Sequence, residues 1–349
     1  MKIKSISLSL FLLYLGGICA AQTSSTLTTD STKRKRPPMP ANAVHDPVMI
    51  KEGGTYYVFG TGRGISVKSS KDKKNWENIN AVFPDSVSLP TWHRNDIPKQ
   101  RGDLWAPDIH YRNGLFHLYY SVSGWMDFKS SIGYATNKTL DQHSPDYKWI
   151  DRGRVIDFRN GGEGVNCIDP NVFVDKDGSV WLFYGSYQAG LRLVELDRKT
   201  GKLKNETPEV TVITNALGEG VFVIKAGNYY YIFASRGRCC AGIESTYQVV
   251  MGRSKNLKGP YLNKQDESWV DSKYSLFMEG NYEEPGRGHN GFFTEGGKTY
   301  IVYHAYTRSA NGMPLLNIKP VYLDKEDWPT LELTKKILFA KSNLINLKK

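Results

Sequence analysis

Hydrophobic and polar positions along this chain repeat in a fixed order. Each repeat begins with a polar residue, which we call the head. A short strand of β-branched or aromatic residues follows, then a Gly-, Asn- or Asp-containing turn, then a second aromatic strand. Two such strands joined by a tight turn are typical of a β-hairpin. The five heads are Asp46, Asp108, Asp169, Glu219 and His289.

The spacing of the repeats predicts how they assemble. Successive heads are 50 to 70 residues apart, and further strand-like pieces, such as residues 65–68 and 248–251, follow several hairpins. About four short strands at such a period are typical of one propeller blade. The sequence therefore predicts an all-β fold, a five-bladed β-propeller. A β-sandwich is the alternative, but it would not repeat the head and hairpin five times.

The longest apolar run lies at the N-terminus. Lys2 and Lys4 precede the apolar residues 8–18, and small residues follow up to Ala21, which is the order found in a secretory signal peptide. We expect residues 1–21 to be removed and the protein to be secreted or periplasmic; a lipoprotein anchored through Cys19 is the less favoured alternative. Because the run is shorter than the ~20 residues that cross a bilayer, no membrane span is expected.

Residues 22–44 are predicted to be a disordered linker, since they are rich in Ser and Thr and contain a basic run at 33–36 and two prolines. The propeller domain is expected over residues 45–349. The chain has 46 Lys+Arg and 35 Asp+Glu, a net charge of +11, of which residues 1–44 hold +5. The remaining charge is too small for a nucleic-acid partner to be expected. Four cysteines are too few for a disulfide framework.

Radial symmetry gives the heads a possible function. If every innermost strand starts equivalently, the five heads meet around the central axis. Four of them are carboxylates, which repel one another and raise one another's pKa values. Such a cluster costs stability, so it indicates a catalytic or metal-binding site.

Short motifs surround the heads, and one further motif lies between the last two. They are His45-Asp46-Pro47, Leu104-Trp105-Ala106-Pro107-Asp108, Ile168-Asp169-Pro170, Gly218-Glu219-Gly220, Gly288-His289-Asn290 and Cys239-Cys240-Ala241-Gly242 with Glu244-Ser245-Thr246-Tyr247. In this order the motifs around the heads resemble those of glycoside hydrolase family 43, over roughly residues 44 to 330. That family consists of five-bladed propellers that cleave arabinose- or xylose-containing glycans with inversion. The last motif is similar to that of the endo-1,5-α-L-arabinanases of the family.

The resemblance implies roles for three carboxylates. Asp46 matches the general base, Glu219 the general acid, and Asp169 the carboxylate that raises the pKa of the acid and orients the sugar. Inverting hydrolysis needs base and acid about 6.5–9.5 Å apart, so that a water fits between base and sugar. Heads on different blades can meet this spacing.

Two further heads have less certain roles. His289 matches a histidine that, in the arabinanases, lies at the axis with a water-ligated cation, usually calcium. Histidine is a poor direct ligand of calcium, so a hydrogen-bonded core histidine is the alternative. Asp108 is expected either to shape the charge of the site and bind substrate or only to begin its strand.

The remaining candidates concern substrate binding. Trp105 matches a subsite tryptophan, whose flat face packs on the C–H groups of a sugar ring. His45, Asn166 and Ser186 lie beside heads or strand ends and are candidate hydroxyl-binding groups, although each could instead satisfy backbone. In the resemblance, the Cys239–Cys240 pair belongs to a loop that lines the groove.

Together these features predict a secreted, monomeric enzyme that hydrolyses α-1,5-linked L-arabinan or its oligosaccharides internally, with inversion. An exo-acting α-L-arabinofuranosidase or a β-xylosidase is the alternative within the family. Only about twenty residues follow Trp328, which leaves no room for the β-sandwich that such xylosidases usually append. A noncatalytic glycan-binding propeller is the alternative of another class, but it would have lost one or more of the carboxylates.

Overall fold

The computed structural model describes residues 39–125, 127–216, 218–334 and 336–338. The predicted signal peptide and most of the predicted linker lie outside these residues. Strands account for nearly all of the regular structure, and three 3₁₀ helices at Gly242–Glu244, Trp269–Asp271 and Arg308–Ala310 account for the rest. Within the described part of the chain, no helix is long and apolar enough to span a bilayer.

The strands follow the predicted hairpins. In chain order they are β1 Val48–Glu52, β2 Thr55–Gly60, β3 Gly62–Arg63, β4 Ser66–Ser70, β5 Glu77–Ile79, β6 Asp103–Arg112, β7 Leu115–Val122, β8 Ser131–Asn137, β9 Ile150–Asp157, β10 Asn171–Val174, β11 Val180–Ser186, β12 Gly190–Leu196, β13 Thr211–Val212, β14 Glu219–Ala226, β15 Tyr229–Arg236, β16 Gln248–Ser254, β17 Ser275–Met278, β18 Gly286–Glu295, β19 Lys298–Thr307, β20 Met313–Leu323, β21 Pro329–Thr330 and β22 Lys336–Ile337.

These strands form five antiparallel sheets, which are the five blades of a β-propeller, as predicted. Blade I is β1-β2-β4-β5, blade II is β3-β6-β7-β8-β9, blade III is β10-β11-β12-β13, blade IV is β14-β15-β16-β17, and blade V is β18-β19-β20-β21 with β22 also paired to β20. The innermost strands β1, β6, β10, β14 and β18 each contact the innermost strands of both neighbouring blades, so they close a ring around the axis.

The hydrophobic core lies between the blades. Five clusters of buried apolar residues exist, and each contains residues of two adjacent blades. The fully buried side chains of this kind contribute ~1.5–3 kcal/mol each, so the blades are held mainly by one another. Examples, in order around the ring, are Val48 with Leu118, Ile156 with Val172, Phe183 with Ile232, Phe233 with Ile301, and Val302 with Val58.

The ring is closed by residues that precede the first blade. Ala43 forms a β-bridge with Leu315 of β20, and the Leu316 N–H donates to the Asn42 carbonyl at 2.9 Å. The segment before blade I is therefore an additional edge of blade V. The predicted linker extends to Val44, whereas the structure pairs its last three residues with the propeller, because the exposed edge of β20 offers unpaired backbone groups.

Candidate active site

Each innermost strand enters the ring through one residue with left-handed backbone. We call these the ring residues; they are Asp46 (φ 52°), Ala106 (42°), Asp169 (57°), Gly220 (59°) and His289 (50°). Positive φ is uncommon outside glycine, although Asp and His tolerate it better than most residues. Strained backbone of this kind concentrates at functional sites, where surrounding contacts hold it in place. The five-fold repeat of this conformation marks one end of the ring as the candidate site.

The ring residues show that one head, Asp108, was aligned with the wrong position of its blade. Asp46, Asp169 and His289 are both heads and ring residues, and Glu219 directly precedes Gly220. In blade II, however, the ring residue is Ala106, and Asp108 lies two residues further along β6. The Ala106-Pro107 pair thus takes the place in blade II that Asp46-Pro47 has in blade I. The β-bulge between Trp105 and Asp108 is not the cause, since equivalent bulges occur in blades IV and V.

Asp108 therefore does not join the other heads. Its carboxylate accepts hydrogen bonds from the Val172 N–H at 2.6 Å and from Asn171 Nδ2 at 3.3 Å, so it links blade II to blade III. The side chain is buried, and burial raises its pKa to about 7 although the hydrogen bonds oppose this shift. The expectation that all five heads converge is wrong for this residue, and its contacts favour a structural role over substrate binding.

A polar side chain of the second strand holds the ring residue of the following blade. Four side chains act in this way, and we call them the latch residues: Thr61, Ser121, Ser235 and His304. Each accepts a hydrogen bond from the backbone N–H of the ring residue in the neighbouring blade. The bonds are Ala106 N–H to Thr61 Oγ1 at 2.8 Å, Asp169 N–H to Ser121 Oγ at 2.8 Å, His289 N–H to Ser235 Oγ at 2.8 Å and Asp46 N–H to His304 Nδ1 at 3.1 Å.

The latch residues were missed by the sequence analysis, although a signal exists. Each follows the ring residue of its own blade by 15 residues. In blade III a longer hairpin turn shifts the corresponding position to Gly185, which has no side chain that could accept a hydrogen bond. The predicted Ser186 lies one residue further on, buried at the end of β11. There the N–H of Gly220 donates instead to Asp169 Oδ2 at 3.0 Å. The Asp169 carboxylate is thereby tied to the residue that follows Glu219.

Asp46 is surrounded by histidines and one hydroxyl. Its Oδ2 lies 2.8 Å from His45 Nδ1 and accepts a hydrogen bond from Thr61 Oγ1 at 2.5 Å. Its Oδ1 lies 3.2 Å from His289 Nδ1 and 3.7 Å from His304 Nδ1. Burial alone would raise the pKa of Asp46, but these imidazoles, His289 first, hold it far below its usual value. This carboxylate is therefore ionised at every ordinary pH.

Glu219 has the opposite surroundings. Its Oε1 accepts a hydrogen bond from Tyr247 OH at 2.8 Å. Burial raises its pKa to about 7; the Tyr247 hydrogen bond opposes the rise, and the Asp46 charge adds to it. The pKa of Asp169 is also raised well above its usual value, by burial first and then by the charges of Glu219 and Asp46. This side of the site therefore holds protons near neutral pH.

His45 connects Asp46 to the cysteine pair. Its ring stacks on His304 at 4.2 Å between centroids, and its Nε2 lies 2.7 Å from Tyr306 OH. Burial lowers the pKa of His45, but the neighbouring Asp46 carboxylate raises it to about 10. His45 is thus a cation paired with the Asp46 carboxylate.

The two cysteines lie on the other side of this imidazole. The Sγ atoms of Cys239 and Cys240 are each 3.8 Å from His45 Nε2 and 2.7 Å from one another, and both thiols are free. The Cys239 hydrogen bond lowers the pKa of Cys240 to about 5, against the effect of burial, and His45 lowers it further. The pair thus lies beside His45, next to the Asp46 carboxylate.

The remaining predicted residues lie close to the ring along the chain. Trp105 is half-buried, directly precedes Ala106 and pairs with Ser121 of β7. Asn166 lies half-buried in the connection that leads to Asp169, and its Oδ1 has no hydrogen-bond partner among the described residues. These positions fit contacts with a ligand above the ring.

His289 offers limited support for a cation. Its ring packs against Gly220, where an added Cβ would lie 3.0 Å from Nδ1, so only glycine fits beside it. Burial lowers the pKa of His289, which keeps its ring neutral and able to bind a metal. The described residues add no cage of oxygen ligands around it, so they fit only an ion held mainly by water.

Comparison with known proteins gives a consistent result. A profile of glycosyl hydrolases family 43 matches residues 36–329. The extracellular exo-α-(1→5)-L-arabinofuranosidase ArbA of Cellvibrio japonicus is 41% identical over 302 residues, which cover 83% of this chain and 86% of that protein. The extracellular endo-α-(1→5)-L-arabinanase 1 of Bacillus subtilis is 36% identical over 293 residues, or 82% and 87% of the two chains.

The fold is similar to that of solved arabinanases. The structure of an α-L-arabinanase of Cellvibrio cellulosa complexed with arabinohexaose superimposes with a TM-score of 0.78 at 40% identity, over 83% of this chain and 95% of that one. The likeness therefore covers the propeller and the motifs that contribute the ring.

Proposed function

This chain belongs to family 43 of the glycosyl hydrolases, and we propose that it cuts α-1,5-linked L-arabinan within the chain, with Asp46 as general base and Glu219 as general acid. It is an inverting glycoside hydrolase of the arabinanase group. The noncatalytic alternative is set aside, since family and ring carboxylates agree on hydrolysis.

One observation carries the assignment of base and acid. The two carboxylates have pKa values displaced in opposite directions, Asp46 downward and Glu219 upward. An inverting hydrolase needs an ionised carboxylate to take a proton from water and a protonated one to donate to the leaving oxygen. Carboxylates whose surroundings separate their pKa values in this way are the expected pair.

Asp169 is proposed to position the acid. Its Oδ2 accepts from the backbone of Gly220, the residue after Glu219, and its own N–H is held by Ser121. The pKa of Glu219 is raised by burial first and then by the Asp46 charge. The support for Asp169 is therefore its contact with Gly220.

Substrate binding is proposed for the residues around the ring mouth. His45, Trp105, Asn166, Ser186 and the Cys239–Cys240 pair would contact the arabinan chain. Trp105 offers an aromatic face, and the unpartnered Asn166 Oδ1 offers a hydrogen-bond acceptor to a sugar hydroxyl. Two relatives named for action on α-1,5-linked arabinose support this choice of substrate.

Internal cleavage is the first candidate because the motif that contains the cysteine pair is similar to that of endo-arabinanases. Exo action on the same polymer is the second candidate, favoured by the 41% identity to a protein named as an exo-arabinofuranosidase. Both candidates use the same ring carboxylates.

A water-ligated calcium at the axis, touched by His289, is proposed as a cofactor. Such an ion would hold nearby acidic pKa values down and stiffen the ring mouth. We also propose that the enzyme acts as a monomer and is secreted after cleavage near Ala21, as the extracellular names of both relatives suggest.

Product analysis on debranched arabinan tests the function. Internal cleavage predicts a spread of long oligosaccharides at the earliest times, whereas exo action predicts one short product throughout. Proton NMR of the first turnovers is expected to show the β-anomer, because inversion reverses the α configuration. An α-anomer formed first, or no hydrolysis at all, would contradict the proposal.

A further inference from the structure

A cavity of about 180 Å³ lies beside β3 and the long connection from β5 to β6. Its lining includes Arg63, His93, Arg94, Gln100, Arg101 and Leu104. A single water needs only ~10–15 Å³ of such space, so this cavity can admit a group of sugar size. Nothing in the proposed hydrolysis uses it.

The cavity has positive charge without a counter-ion. None of the described carboxylates forms an ion pair with Arg63, Arg94 or Arg101. Asp103 is the backbone partner of Arg63 where β3 pairs with β6, but their side chains form no ion pair. The acids of the same connection are engaged elsewhere. Asp96 binds Arg154 and Arg159, and Asp85 accepts from the N–H groups of residues 87 and 88. Arg63 donates one guanidinium N–H to the Arg101 carbonyl, and Arg101 donates to the carbonyls of Pro98 and Gln100. Because each guanidinium has five N–H donors, both keep their charge and further donors for a ligand, as does Arg94.

Buried polar contacts give the cavity a fixed wall. The buried Gln100 side chain accepts from the Gly102 N–H at 2.6 Å and donates to the Asp103 carbonyl at 2.7 Å. The Arg63 guanidinium donates to the Arg101 carbonyl at 2.9 Å. His93 is buried, and its Nδ1 has no hydrogen-bond partner in the described part of the chain. An imidazole nitrogen without a partner is costly to bury unless a ligand or water satisfies it.

The cavity adjoins the catalytic ring along two strands. Arg63 follows Thr61, which bonds Asp46, by two residues, and Leu104 directly precedes Trp105. A polymer that extends from the ring across blade II would pass this cavity. Arginine binds carboxylates with paired N–H donors, which neutral arabinose does not match.

We propose that this cavity binds the carboxylate of an acidic sugar, a uronate, in the glycan that is bound at the ring. The inference rests on the proposed function only in taking that glycan as the polymer at the ring. The site would recruit the enzyme to acidic regions of the polymer without taking part in bond cleavage.

Calorimetry with tri-galacturonate tests the proposal on the full mature protein. We expect binding that weakens with added salt and that falls by about tenfold or more in the double variant Arg94→Ala/Arg101→Ala, since two charge-assisted contacts are lost. The matched control Lys255→Ala/Lys325→Ala removes two exposed charges on other connections and is expected to bind within about twofold of the wild type.

Hydrolysis of neutral debranched arabinan and the melting temperature are expected to stay unchanged in both variants, which keeps a failure of this proposal separate from a failure of the proposed function. No binding up to about 10 mM would overturn the proposal. An equal loss of affinity in the lysine control would overturn it too, as would equal displacement by inorganic sulfate, which would show an inorganic-anion site only.

Discussion

The regions around Asp46 and Glu219 both contain a ring residue with left-handed backbone, yet the pKa of Asp46 is lowered and that of Glu219 is raised. Around Asp46, three imidazoles and Thr61 lie within 3.7 Å of the carboxylate oxygens and hold its proton off. Around Glu219, the neighbours are Tyr247, a second carboxylate and buried surface, so the proton is retained. A propeller with one repeated backbone geometry thus separates base from acid through the side chains around each carboxylate. Some come from its own blade, such as Tyr247, and others from the next blade, such as His289.

Removing either carboxylate gives the largest expected effect. Asp46→Asn and Glu219→Gln should each lower kcat on arabinan by ~10²–10⁴-fold, because proton transfer is lost without a change of shape. An aryl arabinoside with a good leaving group should restore much of the rate to Glu219→Gln, since the leaving oxygen then needs no proton, but not to Asp46→Asn.

The exposed Asp103→Asn is the matched control and should keep full activity on both substrates. If the activated substrate restored both variants equally, the division into base and acid would be wrong.

The latch residues allow a sharper test of position against stability. Thr61→Val removes a hydrogen bond to Asp46 as well as the acceptor for Ala106. Ser235→Ala removes the acceptor for His289 and a 3.4 Å hydrogen bond to Asn290 Oδ1, but no hydrogen bond to a carboxylate. Both should cost ~1–3 kcal/mol of unfolding free energy, since a buried N–H loses its partner. Only Thr61→Val should also lower kcat, by about tenfold. Urea unfolding and steady-state kinetics measure the two effects, and an equal kcat in both variants would show that Thr61 acts structurally alone.

The loss of activity at high pH is expected to follow the ionisation of Glu219. The acid must be protonated, so activity should be present below its pKa of about 7 and lost as the pH rises through that value. Because the Tyr247 hydrogen bond lowers this pKa, Tyr247→Phe should move the basic limb to higher pH. The ionised Asp46 should give no acidic limb near its ordinary pKa. A basic limb that stays in place in Tyr247→Phe would remove Glu219 as its origin.

The smallest expected effect concerns the cation. Chelation should lower the melting temperature or the rate only in part, and added calcium should restore it, because the proposed ion stabilises the ring mouth without taking a proton. His289→Ala should reproduce the chelated behaviour and no longer respond to calcium. A metal-free protein whose rate and melting temperature ignore both treatments would leave His289 as a packed core residue.

The sequence by itself determined the five blades and the three carboxylates at the ring, Asp46, Asp169 and Glu219. Runs of β-branched and aromatic residues joined by tight turns form hairpins through local contacts, so five hairpins were visible as a repeat. The Asp-Pro pairs at 46 and 169 marked ring entry, and Ala106-Pro107 carries the same signature in blade II. Asp108 was misplaced because its carboxylate suggested a head, whereas the ring position of blade II is occupied by Ala106, which has no polar side chain.

The tertiary structure decided what each carboxylate does. His304 lies 258 residues from Asp46 in sequence, yet its Nδ1 accepts the Asp46 N–H, and Asp169 reaches the following blade to hold Gly220. Proton affinity depends on burial and on charges within a few ångströms, and closure of the ring alone brings those groups together. The sequence could name the acidic residues, but only the folded neighbours separate the one that loses its proton from the one that keeps it.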